Sequence, residues 1–243
     1  CSMKVAEKIL RYVKRLKEGS AFGYTQLKIE PDQFTAAAKA IERLIEKGTI
    51  KRVSRGKFYK PKQSVFGELR PSEDEVLKLY LYSQNKRVAY ITGTALYNRM
   101  GLTTQVPKTI RVASSNKRIS VNSGSLQAIP ARSYVDVTDA NVYLLELLDA
   151  IKDFSNIPDL DRKMAIRYLK GRMSKLNDQE KSKIIKYALK YPPRVRALLG
   201  ALMSEIGYMR NVDELKKSLN PLTVYKFGIE REWLESAPAW STA

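Results

Sequence analysis

Apolar residues recur at helical spacing through Ala6, Ile9, Leu10, Val13 and Leu16, with Lys8, Arg11, Lys14, Arg15 and Lys17 between them. That spacing predicts an amphipathic first helix, ended by Glu18-Gly19-Ser20. Phe22 and Tyr24 lead into a short second element, Thr25 to Leu27, with Thr25 as its cap. Pro31-Asp32 opens a third helix whose buried stripe is Phe34, Ala37, Ile41, Leu44 and Ile45. Gly48 closes it, because a helix C-terminus favours a residue free to take positive φ. Ile50 to Arg52 and Lys57 to Tyr59 read as strands around Ser54-Arg55-Gly56. Helix, short helix, long helix and basic hairpin, in that order, outline a winged helix-turn-helix over residues 1–62.

The pattern then changes. Lys62 to Pro71 reads as a turn-rich connection, and Pro71-Ser72-Glu73 as a helix start with acidic first-turn residues. Val76, Leu77, Leu79, Tyr80 and Leu81 supply that helix with an apolar side. Thr92 is placed to cap a helix running to Met100 and closed by Gly101. Leu102 to Pro107 forms a polar loop, whose Thr103-Thr104-Gln105 hydroxyls are expected to bond local backbone. Strands are expected at Thr109–Ala113, Ile119–Val121 and Leu126–Ile129, then an apolar helix from Val142 to Phe154 preceded by Asp139 and Asn141. These elements make residues 63–157 a small mixed α/β domain.

From Asp159 the chain reads as helical: Asp159–Leu176, Asp178–Tyr191 and Pro193–Ile206, opened by Asp159, Asn177 or Asp178, and Pro192-Pro193. The apolar stripes run through Met164, Ile166, Leu169 and Met173, then Ile184, Ile185, Tyr187 and Leu189, then Val195, Leu198, Leu199, Leu202 and Ile206. Asp213–Leu219 is a short last helix, Val224–Phe227 a candidate strand, and Ser236–Ala243 an expected frayed end. Residues 158–243 form a basic helical region, either a third domain or one body with the middle. The expected fold class is α+β, predominantly helical.

Charge sharpens this outline. The net formal charge is +19, distributed as about +10, +2 and +7 over the three segments, so a polyanion would meet the ends of the chain. No apolar run approaches the roughly 18 residues of a membrane span, and charges interrupt Leu10–Val13 where a signal peptide would need an apolar core. A cytoplasmic protein is expected. The single cysteine, Cys1, excludes an internal disulfide framework; Cys1-Ser2 ahead of Met3 reads equally as native sequence or as a cloning remnant. The absence of histidine removes Ser-His-Asp and Cys-His nucleophile activation and the commonest zinc ligand.

Outward positions of the third helix, Gln33, Thr35, Ala36, Lys39 and Arg43, mix amide, hydroxyl, small and basic groups suited to reading base edges in a major groove. Arg52, Arg55 and Lys57 on the hairpin would meet phosphate or a neighbouring minor groove. Lys163, Arg167, Lys170, Lys183, Lys186, Lys190, Arg194 and Arg196 form a candidate second basic surface. These cations read equally well as solvated helix faces. A restriction-type nuclease would need an Asp on one strand and Glu-x-Lys on the next; Asp136 has no such partner. Glu146 and Asp149, three apart on a helix, are expected on a solvated or paired face. Gly93 and Gly101 lack the Gly-Lys-Ser/Thr of a phosphate loop. No cofactor, no metal and no enzymatic activity are expected.

Three stretches resemble the AbiEi-type antitoxins, transcriptional regulators of type IV toxin–antitoxin and abortive-infection systems. They are Ala40–Ile50 leading to Arg55-Gly56-Lys57-Phe58-Tyr59; Tyr90-Ile91-Thr92-Gly93-Thr94-Ala95-Leu96 followed by Gly101–Pro107; and Lys190-Tyr191-Pro192-Pro193-Arg194 continuing to Ala201. The resemblance implies a bacterial autorepressor whose N-terminal winged helix binds inverted repeats in its promoter. It further implies a C-terminal region that counteracts a nucleotidyltransferase-like toxin without a stable complex. By position, Gln33, Thr35, Ala36, Lys39, Arg43, Arg52, Arg55 and Lys57 are the residues it would place on DNA. An RNA- or tRNA-binding protein that shields the toxin's substrate with its basic C-terminal helices is the alternative.

Overall fold

The structure is a computed structural model that describes residues 4–65, 67–124 and 126–242. The Cys1-Ser2 question lies outside the described residues. The chain is α+β, and it gathers into two compact units: residues 1–88 with 121–127, and residues 89–120 with 128–243. The expected segment boundaries near residues 62 and 157 fall inside these units.

The first unit begins with α1 (Val5–Arg15), β1 (Ala21–Gly23), α2 (Tyr24–Leu27), a 3-10 turn (Pro31–Gln33), α3 (Phe34–Glu46), β2 (Lys51–Ser54) and β3 (Lys57–Tyr59). One core serves all of them: Ile9, Val13, Phe22, Leu27, Ala37, Ala40, Ile41, Leu44, Ile50 and Phe58. The helical stripes are narrower than expected. Ala6 and Leu10 stay exposed on α1, and Phe34 is 51% exposed rather than buried. Each helix meets the core along one line of contact, which leaves the edges of its apolar face in solvent.

Thr25 does not cap α2. The cap is Gly23, whose backbone N–H donates to Gln26 Oε1 at 2.9 Å, so a side chain inside the helix reaches back to the residue before it. Strand β1 had no alternating pattern to reveal it. Its three residues pair with the distant β3, Phe22 opposite Phe58, in an antiparallel sheet of order β1-β3-β2. β2 starts after the buried Ile50, is bulged between Arg52 and Ser54, and turns through Arg55 and Gly56, the latter at φ 72°.

Lys62 to Pro71 is not merely a connection. It contains β4 (Lys62–Ser64) and β5 (Gly67–Leu69), an antiparallel pair with Gln63 opposite Glu68. Helix α4 (Glu73–Leu81) starts where expected, with Ser72 Oγ accepting from the Glu75 N–H at 3.3 Å. A hairpin of β6 (Tyr82–Ser83) and β7 (Lys86–Arg87) follows, turned by Gln84 and Asn85, both with positive φ.

The second unit takes β8 (Tyr90–Thr92), α5 (Thr94–Arg99) and β9 (Thr109–Ser114). Strand β10 (Val121–Ser123) belongs to the first unit, and β11 (Leu126–Arg132) starts in the first and ends in the second. Five helices complete it: α6 (Val142–Lys152), α7 (Arg162–Ser174), α8 (Asp178–Ala188), α9 (Pro193–Glu205) and α10 (Val212–Lys217). Strands β8 and β9 pair antiparallel, with Ile91 opposite Val112. Helices α6 and α9 supply the centre of the core, including Leu144, Leu145, Leu147 and Leu148 from one and Leu198, Leu199, Leu202 and Met203 from the other.

Several local expectations are corrected here. Thr92 does not cap α5; the cap is Gly93 at φ 72°, and Thr92 is buried with its hydroxyl turned to Asp149. The α7 cap is Asp161, whose Oδ1 accepts from the Met164 N–H at 2.9 Å, because Asp159 sits at φ 52° and bonds Gln105 instead. Met164, expected in the stripe, is 52% exposed. Asn177 and Glu180 form a reciprocal cap on α8, at 2.9 and 2.8 Å, and Gln105 N–H donates to Thr103 Oγ1 at 3.2 Å as a local turn bond.

Ser236–Thr242 is not frayed (Ala243 lies outside the described residues), nor is Val224–Phe227 a strand. Tyr225 makes one isolated bridge to Thr242, and a 3-10 turn at Ala237–Trp240 buries Ala237 and Trp240. The Trp240 ring lies on the bare backbone of Gly200, 2.2 Å from where a Cβ would stand. Its indole N–H donates to Ser204 Oγ at 3.0 Å.

Candidate nucleic-acid interface

The outward face of α3 follows from its buried one. With Ala37, Ala40, Ile41 and Leu44 turned inward, helical periodicity turns Thr35, Ala36, Lys39 and Arg43 outward, and all four are exposed. Gln33, in the 3-10 turn, is half-buried. Glu42 and Glu46 share the exposed face. Those two carboxylates repel phosphate but can accept from a cytosine amino group.

On the hairpin, Arg52 and Arg55 are exposed, while Lys57 is half-buried. The Lys57 ammonium lies 4.2 Å from the centre of the Tyr80 ring, and Ser54 Oγ is 3.0 Å from the Tyr80 hydroxyl. Tyr80 of α4 therefore braces the hairpin from below, a support that the sequence did not reveal. Lys51 is engaged elsewhere, 2.7 Å from Glu68 of β5, whose carboxyl that contact holds below its ordinary range.

Tyr24 ties the helix to the hairpin. Its ring packs on Phe34 at 4.8 Å and edge-on to Phe58 at 5.5 Å. A Cβ on Gly56 would stand 3.6 Å from the same ring. Burial raises its hydroxyl pKa, opposed by the nearby Arg52 charge and reinforced by Glu42. Residues from α3 and β2 thus lie within electrostatic reach of one side chain. The structure brings the helix and hairpin candidates together around a shared core.

The second candidate surface divides. Lys163, Arg167, Lys183, Lys186 and Lys190 are exposed on or beside α7 and α8. The others are engaged. Lys170 pairs with Glu205 at 2.9 Å; Arg194 donates to Ser155 Oγ at 2.8 Å and packs on Phe227; Arg196 donates to the Ser218 carbonyl at 3.0 Å.

The carboxylates tell a similar story. Asp136 accepts from Ser115 at 2.7 Å, and Glu146 pairs with Arg99 at 2.7 Å. Asp149, expected on a solvated or paired face, is fully buried. It accepts from the Tyr90 hydroxyl at 2.8 Å, the Thr92 hydroxyl at 2.6 Å and the Lys152 ammonium at 2.8 Å. Tyr97 bridges the Asp149 carbonyl and Asp153 at 3.2 and 2.6 Å. Burial first, then the adjacent carboxylates, push the Tyr90 and Tyr97 pKa values far up, so both act as donors at any physiological pH. The Tyr191 hydroxyl is buried beside them, with no aligned partner among the described residues. Among those residues, no three His, Cys, Asp or Glu side chains gather as metal ligands do.

A family described as "Family of unknown function (DUF6088)" matches residues 8–127. No functionally curated protein matches the sequence. Among solved structures, the crystal structure of the RV2827C protein from Mycobacterium tuberculosis is similar, with a TM-score of 0.52 over 99% of this chain and 91% of that one. At 11% identity the likeness concerns the fold alone. No helix among the described residues is long and apolar enough to cross a membrane.

Proposed function

We propose that this chain is a DNA-binding transcriptional regulator whose first unit works as a winged helix-turn-helix, with α3 in a major groove and the β2–β3 turn on adjoining backbone. The observation that carries the reading is the order α1-β1-α2-α3-β2-β3 with sheet order β1-β3-β2. That order leaves Thr35, Lys39, Arg43, Arg52 and Arg55 exposed on the helix and hairpin that Tyr24 joins. Phosphate contacts from the cations set the position, and the polar and small groups of α3 read sequence. In the same reading the protein is a non-enzymatic cytoplasmic autorepressor and AbiEi-type antitoxin. It counteracts a nucleotidyltransferase-like toxin encoded beside it, without a stable complex. The three sequence stretches that resemble that family support this part.

The test is fluorescence anisotropy of the full chain on duplexes from its own promoter region, over a range of salt. The logarithm of the affinity should fall linearly with the logarithm of salt, by roughly 0.9 per neutralised phosphate, and Arg55→Ala should reduce that slope by about 1. A salt-independent affinity would sink the reading. For the antitoxin role, co-expression should restore growth to cells making the neighbouring toxin.

RNA shielding is the second reading, favoured by the exposed Lys163, Arg167, Lys183, Lys186 and Lys190. It predicts that their combined substitution abolishes RNA binding and leaves promoter binding intact.

A further inference from the structure

Helix α3 starts with a ring, not a charge. Phe34 is its first residue and remains 51% exposed, although the phenylalanine side chain is among those most often fully buried. The ring is not loose. Tyr24 backs it at 4.8 Å, Tyr24 rests edge-on against the buried Phe58, and Phe58 meets Phe22 at 5.7 Å. Phe34 is thereby anchored to the core through tilted and edge-on ring contacts, while about half of it stays open to solvent.

The next two residues are Thr35 and Ala36, both exposed, so the first turn of α3 presents a ring and two methyl groups. The first cation on the helix is Lys39, and the charges just before it are Glu30 and Asp32, also exposed. Those carboxylates oppose a phosphate at the helix start.

In a major groove, thymine is the unmodified base with an apolar group, its C5-methyl, while guanine offers acceptors and cytosine an amino donor. A donor or acceptor pressed against the ring would lose water with no compensating bond. We infer that the first turn of α3 selects thymine through its methyl group, with Phe34 as the specificity-determining contact. The inference rests on the DNA-binding reading above and adds which base the helix start recognises.

The experiment uses the full chain. A preferred duplex is selected from a randomised library, and each thymine is then replaced singly by deoxyuridine, which removes the methyl and leaves base pairing unchanged. At one or two positions per site, binding should weaken about four-fold, the effect of leaving one methyl group unburied. Phe34→Ala should bring that thymine-to-uracil ratio to one, Phe34→Leu should keep part of it, and Arg55→Ala should lower affinity for both duplexes equally. Because the ratio is taken within each protein, partial loss of folded protein cancels.

A selected site indifferent to every deoxyuridine would overturn the inference while leaving DNA binding standing. So would a ratio that survives Phe34→Ala, including a case where that variant alters only self-association in sedimentation. Failure to select any duplex would instead remove the DNA-binding reading and this inference with it.

Discussion

Helices α3 and α9 are each thirteen residues long, and each follows a proline-marked start, yet they do opposite things with their surfaces. α3 buries Ala37, Ala40, Ile41 and Leu44 along one stripe and exposes Lys39 and Arg43. α9 buries Val195 and every residue from Ala197 to Met203. A helix apolar on one side keeps a face for a partner, whereas one buried all round is core. Their arginines differ accordingly: Arg43 is exposed, while Arg194 and Arg196 are tied to Ser155 and Ser218. The sequence stretches rank the other way. The distinctive motifs around Tyr90 and Tyr191 converge on a buried polar cluster in the second unit, and the plainer Ala40–Ile50 pattern belongs to the exposed helix. A distinctive motif here marks demanding packing, and the surface that would meet a partner carries the commoner residues.

Asp149→Ala is the hardest test of that contrast. It leaves the Tyr90 and Thr92 hydroxyls and the Lys152 ammonium without their shared acceptor, and breaking a buried ion pair from one side costs about 3–5 kcal/mol. Urea unfolding should show that loss. A neutral result would mean that the cluster does not hold the second unit together, and the contrast between the two motifs would fail. Gly200→Ala should cost less, about 1–3 kcal/mol, since its methyl group would displace a buried Trp240 held by Ser204. Better helix propensity offsets part of that strain, by roughly 1 kcal/mol. A blue- or red-shifted tryptophan emission with a lower Tm is the expected signature, and an unchanged Tm would show that the ring can move aside freely.

The helices were legible because their stripes are local: the α4, α8 and α9 starts follow from Ser72, Asn177 and Pro193. What escaped depends on distant partners. β1 exists because Phe22 meets Phe58, and β5 is joined to the sheet through Glu68, which contacts Lys51 and Tyr59. Thr92 reads as a cap in sequence, since hydroxyls favour that position, but an acceptor fifty-seven residues away claims it. Of the candidate interface, the exposed cations of α3 and the hairpin were visible from periodicity. The half-exposure of Phe34 was not, because spacing places it in the stripe, and the tyrosine that backs it comes from α2.

The mildest expected effect lies at the rim of the second unit, where Tyr143 of α6 donates to Glu180 in the α8 cap. Burial, then this bond, push the Tyr143 pKa up to about 12. The Tyr143 bond, then the Asn177 backbone N–H, lower that of Glu180 below its ordinary value of 4.5. A lowered carboxyl contributes stability that is complete above its unfolded pKa and is lost as pH falls through the folded one. A raised tyrosine contributes stability that is complete below about pH 10 and is lost on the way to about pH 12. In Tyr143→Phe, carboxyl NMR should therefore find Glu180 titrating closer to 4.5, though still depressed because the Asn177 N–H remains. The stability gap to wild type should be constant between about pH 5 and 9 and shrink on either side. A gap that did not narrow in acid would mean that the Tyr143 hydroxyl contributes without its bond to the ionised Glu180. The hydroxyl-to-carboxylate bond would then matter at the buried Asp149 and not at the solvated Glu180, which is the distinction between interior and surface that α9 and α3 draw on a larger scale.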